Sequence, residues 1–185
     1  MKRVCRWVIV CIDVAKLCIL GYSICRSPNT RSSLEALRMC FADKTYLLRA
    51  VGLETQTWDY RCDIRLLAAD SGSEFGRDPF GGGQFVNAAK HLGISHLNTV
   101  TGVAKLRPHV ERFFRTADLK LTQHLPGATG SGPHKLNDRK PHLEACITDD
   151  ELESLFAAFV AEYHVSPHRM LGGRTPHAVW MDFHD

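Results

Sequence analysis

Two apolar runs, Trp7 to Ile12 and Leu17 to Cys25, stand on either side of the short segment Asp13-Val14-Ala15-Lys16. Both are rich in β-forming residues, and that pattern predicts a buried antiparallel hairpin. Basic residues ahead of an apolar run also resemble a signal peptide or membrane anchor. Asp13 and Lys16 break the run, and the uninterrupted piece from Trp7 to Ile12 is far shorter than the ~20 residues a spanning helix needs. A soluble, cytoplasmic protein with no membrane partner is expected.

The chain has 185 residues, 44% of them hydrophobic and 23% charged, which is enough to bury a sizeable core. Its formal net charge of +3 is mildly basic and allows a nucleic-acid partner without requiring one. The seven cysteines are an odd number with no C-x-x-C pair, so neither a disulfide framework nor a zinc ribbon is indicated; buried, inert thiols in a reducing cytosol are expected.

Ser27-Pro28-Asn29-Thr30 ends the hairpin and offers cap residues to a helix whose broad apolar face carries Leu34, Leu37, Met39, Cys40 and Phe41. Ile64 to Ala69 fits a strand buried on both sides, ending at Asp70. Phe85, Ala88, Ala89 and Leu92 follow helical spacing, Gly93 closes that helix, and Ile94 to Val100 reads as another short strand. Val110, Phe113, Phe114, Ala117 and Leu121 form one face of an amphipathic helix opening near Arg107-Pro108. A Gly- and Pro-rich connector follows, and then Thr148-Asp149-Asp150-Glu151 caps a helix with the stripe Leu152, Leu155, Phe156, Phe159, Val160 and Tyr163. The expected organisation is an α/β core over residues 1–125, a connector over 126–147 and a helical extension over 148–185.

Two acids hold the chemical interest. Asp70 follows a buried strand and precedes Ser71-Gly72-Ser73, where open α/β sheets place their sites, although an acid there is more often a turn residue or helix cap. Glu111 lies one step off the apolar stripe of its helix, flanked by Arg107, Arg112 and Arg115. The plain account of it is a solvated residue paired with those arginines.

In order, DSGSEF, HLGISH, KLRPHVERFFRT, LPGATG and YHVSPHRMLGGRTPHAVW resemble the catalytic core of the DDE transposase and integrase family, its Mu-type bacterial branch above all, over nearly the whole chain. The resemblance implies an RNase H-like mixed sheet flanked by helices. It makes Asp70 and Glu111 the second and third acids of a D, D, E triad that holds Mg²⁺ or Mn²⁺, and it makes DNA the substrate. Two such cations stabilise both the attacking and the leaving oxygen in phosphoryl transfer between DNA strands, and several carboxylates are needed to hold them. The same resemblance favours Lys105, Arg107, Arg112 and Arg115 as contacts to DNA phosphates; local ion pairing is their plain alternative.

In relatives the first acid lies in a Trp-x-x-Asp motif on a strand preceding the one that matches Trp7 to Ile12, so this chain is expected to be truncated at its N-terminus. That strand is central in the family's sheet, between the second strand and the one ending at Asp70. Asp13 matches a position at the end of the second strand, and it substitutes for the first acid only if the hairpin shifts register. His164 and His168 have the H-x-x-x-H spacing of some zinc sites but read better as a turn after the last long helix. Gly81-Gly82-Gly83 reads as a flexible loop, and Glu74 as a surface turn residue or an outer-shell group. Two functions from different classes stand open. One is a catalytic-core fragment that cuts and joins DNA; the other is an inactive remnant that binds DNA or other transposase subunits.

Overall fold

The computed structural model of the chain describes residues 5–70, 83–99, 107–128 and 146–183, with the side chains of Asp70, Arg107 and residues 96–99 outside that description. The strands are β1 (Trp7–Ile12), β2 (Ile19–Cys25), β3 (Leu66–Asp70) and β4 (Ser95–Thr99). The helices are α1 (Thr30–Met39), α2 (Thr45–Ala50), α3 (Gln84–His91), α4 (Arg107–Lys120), α5 (Asp149–Val165) and α6 (Pro176–Met181). The protein is therefore mixed α/β, with an antiparallel pair β1–β2 and a parallel pair β3–β4. It divides into two compact units. Within the described residues, one is built from Cys5–Asp43 with Asp59–His109, and the other from Lys44–Trp58 with Val110–Asp185.

The first unit begins with the expected hairpin. Trp7 pairs with Cys25 and Cys11 with Gly21, and a bulge follows before Ile12 meets Ile19. Asp13 organises the loop: its Oδ1 accepts the N–H groups of Ala15 (2.8 Å) and Lys16 (2.9 Å), while its backbone bonds to Cys18 and Leu17. Leu17 turns the chain in a left-handed conformation (φ 59°), which its burial at 4% exposure offsets. Burial separates the two strands. β2 is buried along most of its length, whereas the apolar β1 is half-buried and Trp7 is 57% exposed, so the hairpin is not buried throughout as expected. The cause is that α1 packs mainly on β2.

Asn29 and Ser32 cap α1 reciprocally, each side chain accepting the other's backbone N–H at 3.0 Å. Leu34 and Leu37 from α1, Phe85 and Ala89 from α3, and Ile94, Ile64 and Leu67 build an apolar cluster. This corrects the expectation for β3. Successive strand residues point to opposite faces, so Leu67 reaches the cluster while Leu66 is 60% exposed and Ala68 is also exposed. Helices α1 and α3 cover one face of this strand and not both. Gly93 ends α3 with a φ of +72°, as expected.

In the second unit α4 and α5 meet through aromatic rings. Phe113 packs edge-on against Tyr163 (centroids 5.1 Å) and Phe156 (6.4 Å) and tilted against Phe159 (5.8 Å). Lys120 and Glu162 pair at 2.7 Å along the same two helices. The capping box of α5 forms as its sequence requires: Glu151 accepts the Thr148 N–H at 2.8 Å, and Thr148 Oγ accepts the Glu151 N–H at 3.2 Å. Those bonds hold the Glu151 carboxyl below its ordinary range. Helix α2 has no counterpart in the sequence reading, because six residues are too few to display a period. Its first-turn Thr45 accepts the Trp58 N–H at 3.1 Å, and Trp58 is fully buried.

Candidate nucleic-acid interface

β3 ends on Asp70, whose backbone stands opposite Thr99 of the parallel neighbour β4. The register places this acid at the C-terminal end of a parallel strand pair, the end at which α/β sheets present ligand-binding residues. Ser71, Glu74, Gly81, Gly82 and Lys105 lie outside the described residues, as do Arg139 and Lys140 and most of the expected connector.

Glu111 sits in the first half of α4, exposed to solvent. Arg115 is one turn further along, at a spacing that commonly forms an ion pair, yet neither Arg115 nor Arg112 pairs with Glu111 among the described residues. The plain account of Glu111 also includes Arg107, whose side chain lies outside the described residues. Among the described residues no group of three or more His, Cys, Asp and Glu side chains is gathered to hold a metal ion.

Arg107 opens α4, and Arg112 and Arg115 project from its exposed side. Arg112 Nη1 donates to Sδ of Met170, in the short 3₁₀ turn Arg169–Leu171 that follows α5. This contact ties to α4 the turn that carries exposed Arg169, a residue the sequence pattern did not single out. Nothing in its local spacing pointed to α4, since 58 residues separate the two contacting side chains.

Two other positions have structural work to do. Asp13 spends its Oδ1 on the hairpin loop, with Lys16 Nζ 3.9 Å from its other oxygen. His164 lies in the last turn of α5 at 4% exposure, packed edge-on against Trp58 and Tyr163. Burial, aided by nearby His177, Lys44 and His168, pushes its imidazole down to about 3, so it is neutral. His168 meets the Tyr163 ring edge-on at 4.5 Å and approaches the carbonyl of Tyr163 at 3.4 Å, and it too is shifted down, chiefly by burial. The buried Cys18 thiol is raised by desolvation and by Asp13, which makes it a poor nucleophile.

Asp70 closes a parallel strand and Glu111 lies on an arginine-bearing helix of a mixed α/β frame, and it is a family match that makes the chain transposase-related. Residues 3–127 match the family described as TnsB C-terminal domain, and the chain belongs to that family. No curated protein matches the chain. Among the described residues no helix is long and apolar enough to cross a membrane.

Proposed function

We propose that this protein acts on DNA in transposition, as the core of a DDE-type enzyme that cleaves and joins strands in the cytoplasm. Asp70 and Glu111 serve as metal-holding acids, and Lys105, Arg107, Arg112 and Arg115 hold the phosphate backbone. Membership of the TnsB C-terminal domain family supports the setting. The observation that carries the assignment is the Glu111 carboxylate, which forms no ion pair with Arg112 or Arg115. A structural surface acid gains by pairing at that spacing, whereas a metal ligand must keep its oxygens free. Mg²⁺ or Mn²⁺, when bound, supplies charge stabilisation to the attacking and leaving oxygens of the phosphoryl group. The arginines position the backbone, and they carry no sequence information.

The sheet arrangement accords with an RNase H-like origin. What supports this is that an RNase H-like mixed sheet has an antiparallel and a parallel portion on either side of its central strand, and β1–β2 and β3–β4 are pairs of those two kinds. A second reading is favoured by the same division. β1 and β3 belong to separate two-stranded sheets, and Trp7 and Leu66 on them are exposed. A core in this state suits DNA binding, or association with transposase subunits, without strand cleavage.

Calorimetric titration with Mn²⁺ of the chain and of its Asp70→Asn and Glu111→Gln variants, run beside a cleavage assay on labelled duplex, tests both readings. Saturable binding lost in each variant, with strand cleavage by the parent, supports the enzyme. DNA binding without metal uptake or cleavage supports the second reading. Absence of DNA binding overturns the enzyme and leaves the second reading only as association with transposase subunits.

A further inference from the structure

We propose that the turn following α5 is part of the DNA-contacting surface, with Arg169 joining Arg112 and Arg115 in a phosphate-binding cluster that extends beyond the stretch shared with the family, residues 3–127. This inference rests on the DNA reading above and adds to it a segment that nothing else assigns.

Charge pairing distinguishes these arginines from their neighbours. On the surrounding surface, Lys120 is neutralised by Glu162 at 2.7 Å and Arg174 by Asp182 at 2.5 Å. Arg112, Arg115 and Arg169 are exposed and have no carboxylate partner among the described residues. Arg112 instead donates to the thioether of Met170, an uncharged acceptor that leaves its positive charge unneutralised. That contact joins the turn that carries Arg169, one residue away in sequence, to α4. Concentrating like charges costs energy through mutual repulsion, and a polyanion relieves that cost while releasing its own counterions.

The turn is also built to hold a fixed shape. His168 donates its N–H to Arg174 O at 2.9 Å, and Gly173 donates to His168 O at 3.0 Å. The His168 ring packs on Tyr163 of α5. Gly172 and Gly173 adopt φ values of 64° and 84°, which close the turn at little steric cost. Arg169 is thus presented from ordered backbone, which lowers the entropy lost when a ligand immobilises it. Met170 at 47% exposure and Phe114 at 36% supply apolar surface beside the charges.

The test is fluorescence anisotropy of a labelled mixed-sequence duplex over a series of salt concentrations, using the full chain and single variants. Arg169→Gln is expected to weaken binding roughly fivefold and to lower the slope of log K against log salt by about one, as the loss of one phosphate contact does. Arg169→Lys should keep the slope, and Arg174→Gln, whose charge is already paired, should keep both affinity and slope. If Arg112→Gln and Arg115→Gln weaken binding while Arg169→Gln matches the parent, the turn is not a contact and this inference fails with the DNA reading intact. Equal losses in Arg169→Gln and Arg169→Lys would trace the effect to turn structure and also overturn it. A parent chain that binds no duplex overturns both.

Discussion

The indole of Trp58 and the imidazole of His164 meet edge-on, with ring centroids 5.5 Å apart and planes at 74°, in a core where both side chains are buried. A charged imidazole is poorly suited to that position. Burial holds His164 neutral, with Lys44, His168 and His177 adding unfavourable positive charge nearby. Its affinity for protons falls from the ordinary 6.5 to about 3 on folding. The unfolded chain therefore binds the extra proton between these values, and stability is full above about pH 6.5 and declines as pH falls toward 3. The expected loss at this site is on the order of a few kcal/mol. Urea unfolding of the parent and of His164→Gln across this range checks it: the difference between them should shrink as the medium is acidified.

Gly21 lies so close to α1 that a Cβ there would overlap the carbonyl oxygen of Ala36 and stand 3.0 Å from both N and Sγ of Cys40. Backbone on both sides prevents easy relief. Gly21→Ala is expected to destabilise the protein by about 3 kcal/mol, the upper part of the range for overpacking. Thermal denaturation followed by circular dichroism reads this as a lowered midpoint.

Asp13 accepts two backbone N–H groups in the hairpin loop. Asp13→Ala removes both bonds and should cost roughly 1–2 kcal/mol, with Asp13→Asn retaining most of the stability because its carbonyl oxygen can accept the same donors. Denaturant midpoints for the two variants would separate this loop role from one that requires negative charge.

Glu111 is exposed and makes no ion pair with its arginine neighbours, so Glu111→Gln should change metal-free stability by less than about 0.5 kcal/mol. With Mn²⁺ present, the parent's melting midpoint should rise with metal concentration while that of Glu111→Gln stays level. A rise of equal size in both would remove Glu111 from the metal-binding set.

Local chemistry was legible in the chain itself. Two apolar β-rich runs on either side of Asp13 specified the hairpin, Asn29 and Thr148 specified two helix starts, Gly93 specified a helix end, and the spacing of Val110, Phe113 and Ala117 specified α4. Each signal acts within a few residues, so no knowledge of distant partners was needed. Asp70 and Glu111 drew notice by residue type and position, while the metal-holding role proposed for them came from the family resemblance.

Tertiary packing decided the rest. Whether an apolar strand is buried depends on what covers it, and α1 covers β2 better than β1, while α1 and α3 leave Leu66 on the open side of β3. Spacing alone does not decide whether Glu111 pairs with Arg115, nor does it show that Arg112 meets Met170, far along the chain. Sequence spacing states which side chains can meet along one helix. Which of them do meet is set by long-range contacts, because their energies are comparable with those of the local pairs they displace.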